Sequence, residues 1–326
     1  PNCDQPSLHI ITWSIMRSAF MLCLAATAPM GASKNLRSSM PEVTPEKQDF
    51  TPLPFRPLQG PPNAGSFTTT TTQYVAAVAQ HESLGSSSSD GWESVVDMNV
   101  NEYRNIAAAA SAEGAQIIVF PEWGLFGTDG AVKSRNTIEP FCETISDQAA
   151  SDSTTTVGKL STLAAKYGVV VVANVCEKVE TESAVYLYNT EIALSEKGEL
   201  LAKYHKEHPW YTDTFDTPTK EEIVTFTTSF GVRFGLFICY DIVHSTPIND
   251  LLAEGVTQFP YSVSFPVDSL EKVGFQAWSK HTKATLLASN LGGSGSGIFQ
   301  KGDVIAAVGR TGAKFAIGPV VVDGWM

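Results

Sequence analysis

Two strand-like runs flanking one amphipathic segment constrain this chain more than anything else in it. YVAAVAQH (74–81) is compact and apolar, and the polar loop SLGSSSSDG follows it. From Asp97 to Ala112 the apolar residues Val100, Tyr103, Ile106 and Ala110 recur at helical spacing, Gly114 ends the pattern, and IIVFP begins at Ile117. Strand, helix, strand in that order is a βαβ unit, which commits the domain to a layered α/β class with parallel strands. Downstream, a helix is predicted over Val157–Tyr167. VVVANV after Gly168 is almost entirely branched and apolar, the pattern of a strand covered on both faces. VYLYNTEIAL, a turn at Glu196–Gly198 and LLAKYHK read as a hairpin, and EIVTFTTSFG with VRFGLFICYD as the next pair. A short helix over Pro247–Glu254, a strand at QFPYSVSF, a helix over Leu270–Lys283 and a strand at TLLASN follow. LGGSGSG then leads into strands near the C-terminus, and no internal repeat is evident.

Composition divides the 326 residues into three parts. Residues 1–33 are read as a leader. Met16 opens MRSAFMLCLAATAPMGAS, with one positive charge, an apolar run from Ala19 to Ala28 and small residues at Gly31 to Ser33, the pattern of a secretory signal peptide. The run is too short to span a bilayer. The expected localisation is therefore secreted, with a mitochondrial or cytoplasmic location as the alternative; no Asn-x-Ser/Thr sequon occurs in the chain. Residues 34–73 are rich in Pro, Ser and Thr and cannot bury enough apolar surface to offset their ordering entropy, so they are read as a disordered linker. Residues 74–326 form the folded domain.

Five cysteines are present, two of them in the leader. Cys142, Cys176 and Cys239 permit one disulfide and one free thiol. Pairing Cys142 with Cys176 leaves Cys239 free, although spacing alone selects no pairing. None of the spacings resembles a zinc site, and no metal or cofactor is expected. Three strand exits carry reactive groups: Glu122 after IIVFP, Lys206 at the end of LLAKYHK, and Cys239 at the end of FGLFIC. The C-terminal ends of strands in α/β sheets are where chemistry collects, so the three can converge despite their separation in sequence. Read singly, each has a plainer explanation. Glu122 can cap a turn, Lys206 can belong to a solvated patch with Lys203, His205 and His208, and Cys239 can be a packed apolar residue.

Taken together, IIVFPEWGLFG, LLAKYHKEHPW and FGLFICYDIVH resemble the Glu, Lys and Cys signatures of the nitrilase, or carbon-nitrogen hydrolase, superfamily. VVANV (171–175), EIVTFTTSFGVRFG, LLASN (286–290) and GSGIF (295–299) extend the similarity, in the same order, toward its vanin and biotinidase branch. The resemblance implies a four-layer α-β-β-α sandwich. It also implies hydrolysis of a linear amide of pantetheine or biotin type through a thioester, with Glu122 as general base, Lys206 as cationic stabiliser and Cys239 as nucleophile. On that reading Lys206 favours a thiolate at Cys239, and the backbone N–H of Tyr240 is a second oxyanion donor. Asp213 stands near the place of a second acid, and Trp123, Tyr211, Tyr261 and Phe265 are candidates for the substrate pocket. Trp123 and FPYSVSF depart from the branch's usual residues, which puts the substrate in more doubt than the reaction class.

The partners expected are a small-molecule amide and water, with a homo-oligomer compatible. A net charge of -12 and the absence of a basic cluster exclude a nucleic-acid backbone as ligand. A serine hydrolase is disfavoured because no Gly-x-Ser-x-Gly elbow occurs. A Cys–His pair could draw on His205, His208 or His244, yet nothing singles one out. The alternatives retained are an amidase acting on other small amides or N-carbamoyl compounds, and a secreted binding protein that keeps the fold without turnover. If the leader is a signal peptide, N-terminal sequencing of protein from its native source should find a mature terminus near residues 32–34. Intact residues 1–15 on an intracellular protein would contradict that processing.

Overall fold

A computed structural model describes residues 72–265, 270–292, 295–308 and 314–322. The leader and nearly all of the linker assigned from composition lie outside the described residues. The first strand, β1 (Thr72–Ala79), is followed by a helix over Trp92–Ala112 and by β2 (Ile117–Val119). β1 and β2 are parallel, with Ala76, Ala77 and Val78 opposite Ile117, Ile118 and Val119, so the βαβ unit is formed. The helix starts five residues before the sequence pattern indicated. Its first turn carries exposed Trp92 and Glu93, which add nothing to the apolar stripe from which the start was inferred.

Next come β3 (Cys142–Glu143), a helix over Thr156–Tyr167, β4 (Val170–Glu180), β5 (Val185–Leu194) and β6 (Leu200–His205). A last strand, Phe315–Val322, pairs antiparallel with β1 and completes a seven-stranded mixed sheet. β3 lies parallel to β4 with Cys142 opposite Cys176, and the two form a disulfide. That bridge pins a two-residue strand to the sheet and leaves Cys239 as the free cysteine among the described residues.

The expected second hairpin is formed only in part. β7 (Thr225–Thr227) pairs with β8 (Arg233–Gly235), but the chain then leaves that ribbon, and β9 (Phe237–Ile238) joins a different sheet. A Cβ at Gly235 would lie 3.0 Å from Phe259 and 3.1 Å from Leu251, so the chain can change sheets this tightly only with a small residue there. β10 (Gln258–Val263) and β11 (Thr285–Asn290) continue the second sheet in parallel, and β12 (Gly297–Gln300) and β13 (Asp303–Ala307) close it antiparallel.

Strand alternation explains how the sheets stack. Ala76, Val78, Ile117, Val119, Val170 and Val172 face the second sheet, whose inward residues Gln258, Ser262 and Ser289 reach Tyr74, Phe120 and Ala79 of the first. Their chain neighbours Ala77, Ala79, Ile118, Val169, Val171 and Ala173 face the other way, against Val96, Val100, Tyr103 and Ala107 of the first helix and Leu160 and Leu163 of the second. Outside the second sheet, Phe275 and Trp278 of the helix Leu270–Thr282 pack on Phe259 and Tyr261, which point away from the first sheet. The result is a four-layer α-β-β-α sandwich. Among the described residues no helix is long and apolar enough to cross a membrane.

Candidate functional site

Glu122 owes its position to a strand that is forced to stop. Phe120 still makes a ladder bond, its N–H donating to Val172 O at 2.9 Å, but Pro121 has no N–H to offer. Trp123 then takes a left-handed backbone, φ 62°, and its N–H donates to Asn174 Oδ1 at 3.0 Å. At Gly124 a Cβ would come within 2.1 Å of the Tyr103 hydroxyl, so the turn that aims Glu122 inward requires glycine. The carboxylate is fully buried.

Lys206 follows β6 directly, and its backbone N–H donates to Asn189 O at 2.9 Å. Its ammonium reaches Glu122 Oε1 at 2.6 Å, with both side chains buried. The same oxygen accepts from Asn189 Nδ2 at 2.8 Å. Asn174 Nδ2 donates in turn to Asn189 Oδ1 at 2.6 Å and to Thr190 O at 3.1 Å, which fixes the orientation of both amides. Burial alone would lower the pKa of Lys206, but the Glu122 carboxylate, then Cys239 and Asp241, hold it above its ordinary value. Glu122 Oε2 is buried and meets no N–H or O–H donor among the described residues.

Cys239 sits where β9 ends, in a left-handed conformation with φ 42°, and opens a single 3-10 turn through Val243. For a residue with a Cβ that conformation costs on the order of 1–3 kcal/mol, so the surroundings must impose it. Buried Asp241 is one reason they can. It accepts from Ile238 N–H at 3.0 Å, Tyr204 OH at 2.9 Å, His208 N–H at 3.0 Å and His208 Nδ1 at 2.9 Å. Tyr261 is the other, donating from its hydroxyl to Cys239 O at 2.9 Å. Sequence reading missed Asp241. Its signal was an acid three residues past a strand end, at the third residue of a helical turn, where carboxylates cap free N–H groups.

The remaining candidates scatter around this centre. Trp123 stacks at a tilt on Tyr211 with ring centres 5.4 Å apart, and the Lys206 ammonium lies 5.9 Å from the Trp123 ring. Tyr240 is half-buried, with Trp210 packed edge-on to it at 5.2 Å. Tyr261 is fully buried against Phe237 and Phe275, so it braces the turn of Cys239 from within the core. Phe265 is buried after β10, its backbone gripped at both N–H and C=O by the Asn290 amide. Asp213 is exposed in the turn after Tyr211. The second buried carboxyl beside Glu122 is Glu191 of β5, which sequence reading passed over as a strand residue.

The expected hydrolysis through a thioester needs correction at the nucleophile, and with it the expectation of an amidase that pairs an amide substrate with water. Cys142 and Cys176 are bridged and cannot supply a thiolate. Cys239 is free, but burial, followed by the neighbouring Glu122 carboxylate, pushes its thiol far above the usual cysteine range, and the opposing pull of Lys206 is smaller. The ammonium is already engaged by Glu122, so the resting site holds a thiol where the sequence suggested a lysine-stabilised thiolate. The geometry does support one consequence for stability. Lys206→Met strands a buried carboxylate and is expected to lower unfolding stability in urea by about 3–5 kcal/mol, whereas adding Glu122→Gln should recover part of that loss. A loss below about 1 kcal/mol for Lys206→Met would show that the pair is not buried and charged.

Comparisons with known proteins agree with this geometry. A biotinidase of Takifugu rubripes is 33% identical over 230 residues, covering 62% of this chain and 45% of that protein. A pantetheinase of Bos taurus is 31% identical over 220 residues, covering 60% of this chain and 42% of that protein. The matched region is thus less than half the length of either relative. Among solved structures, an amidase from Nesterenkonia sp. superposes with a TM-score of 0.60 at 18% identity, over 78% of this chain and 94% of that one, which bears on the fold alone. The family model described as carbon-nitrogen hydrolase matches residues 75–288, well over half of the chain. With the sandwich formed and Glu122, Lys206 and Cys239 drawn from three strand exits into one cluster, the chain belongs to the carbon-nitrogen hydrolase family.

Proposed function

We propose that this chain binds a small carbonyl compound, an amide or a related acyl derivative, at the cluster of Glu122, Lys206 and Cys239. The observation that carries the reading is the unequal use of the Glu122 carboxylate. Oε1 is occupied by Lys206 and Asn189, while buried Oε2 meets no N–H or O–H donor among the described residues, and the Cys239 thiol beside the carboxylate is only a weak donor. A buried acceptor left open costs on the order of 1–3 kcal/mol unless a ligand group meets it. An amide suits such a site, because its N–H can donate to Oε2 while its carbonyl oxygen accepts from the ammonium. Half-buried Trp123 and Tyr211 offer an apolar wall beside the ammonium. Relatives named biotinidase and pantetheinase support compounds of those two kinds as the first ligands to try.

Calorimetry with pantetheine, biotinyl amides and N-carbamoyl amino acids tests the reading, run on wild type, Glu122→Gln and Cys239→Ser with amine release followed in parallel. Saturable binding of at least one compound is expected. Replacing the open oxygen in Glu122→Gln should weaken it by about tenfold, the scale of one lost hydrogen bond. Wild type that binds none of a broad panel would overturn the proposal. Amine release by wild type that is lost in Cys239→Ser would replace binding by turnover.

A further inference from the structure

Behind the cluster, Ser262 of β10 joins the two sheets. Its Oγ lies 2.6 Å from Phe120 O, on the strand exit that carries Glu122, and 2.5 Å from Glu191 Oε1 on β5. All three residues are fully buried. A serine hydroxyl has one proton to give. The carbonyl of Phe120 can only accept, so the Ser262 proton is committed to it at 2.6 Å. The contact with Glu191 then needs a proton from the other side, which a carboxylate does not have and a carboxylic acid does. A separation of 2.5 Å between two oxygens with no proton between them would be repulsive, whereas it is ordinary for a short O–H···O bond.

We propose that Glu191 is kept as an uncharged acid which donates to Ser262, and that the relay from Glu191 through Ser262 to Phe120 O is an intersheet latch that positions the strand exit of Glu122. The surroundings agree with it. Burial raises the pKa of Glu191 well above the carboxylate range, and the charge of Glu122 raises it further. Asn174 and the Lys206 ammonium oppose that shift but are smaller than burial. Tyr103, the remaining titratable group facing Glu191, is held un-ionised by its own burial. One cation thus serves two buried carboxyl groups. Lys206 contacts Glu122 directly, and an uncharged Glu191 leaves the cluster electrically balanced. Ser262 and Glu191 thus connect the two sheets beside the strand exit that carries Glu122.

The direction of the pH dependence follows from linkage. A carboxyl whose folded pKa is raised contributes stability that is fully present below its unfolded pKa, near 4.5, and is lost as pH rises through the folded value. Between those limits the folded protein holds one more proton at Glu191 than the unfolded chain does. The unfolding constant of wild type should therefore rise relative to that of Glu191→Gln by about tenfold per pH unit. Infrared difference spectra of wild type against Glu191→Gln at neutral pH should show a carboxylic-acid C=O band belonging to Glu191. In Ser262→Ala the band should persist and move to higher frequency, because the acid loses its acceptor. That second variant decides the matter if Glu191→Gln does not fold. A carboxylate band from Glu191 at neutral pH, or an unfolding constant with the same pH slope in wild type and Glu191→Gln, would overturn the latch. Neither measurement involves a ligand, so a failure here is distinct from a failure of the binding proposed above, on which the latch's role in aiming Glu122 rests.

Discussion

The buried pair of Glu122 and Lys206 is the interaction on which the rest of this site depends. Two opposite charges removed from water cost several kcal/mol each unless they meet at close range with their other hydrogen-bonding capacity largely used. Contact at 2.6 Å and a second donor from Asn189 meet most of that demand. The demand then passes outward through the fold. Asn189 must be held by Asn174, Asn174 must also hold the turn at Trp123, and that turn requires Pro121 and Gly124. The four-layer architecture makes this possible, because β2, β4, β5 and β6 lie in one sheet and deliver these side chains at one level.

Once the ammonium is committed, the state of Cys239 follows. The thiol stands next to a carboxylate at the edge of the core, half-buried, and both desolvation and that negative charge favour keeping the proton on sulfur. Its backbone is nevertheless held in a left-handed turn by Asp241 and Tyr261, so the side chain's position is fixed even though its charge is suppressed. The Cys142–Cys176 bridge belongs to a different part of the sheet, tying β3 to β4. Fixed geometry with a protonated sulfur suits a site that receives a carbonyl group.

Glu122 and Cys239 were legible in the sequence because each ends an apolar run and Pro121 announces that its strand has stopped, whereas Lys206 follows the mixed run LLAKYH and stood out only through the family resemblance. The order of strands and helices was legible for the same reason. Hidden were the residues that make the cluster work. Asn174 and Asn189 look like ordinary polar interruptions of strands, Glu191 like a solvent-facing position, and Asp241 like the start of a loop. Only the stacking of a second sheet turns those positions inward, and periodicity within one strand carries no information about what lies on its far side. The division of VRFGLFICYD between two sheets was hidden likewise, since Gly235 reads as a weak strand residue until the packing of Phe259 and Leu251 is known.

Everything at this site turns on a protonated Cys239 beside an already paired lysine, and the thiolate itself absorbs in the ultraviolet. Following that absorbance against pH in wild type, with Cys239→Ser as the blank, measures the state of the sulfur directly. No thiolate step is expected at or below neutral pH, with ionisation only well above the ordinary cysteine range. A step completed below pH 7 would contradict it, and would return Cys239 to the role of a ready nucleophile.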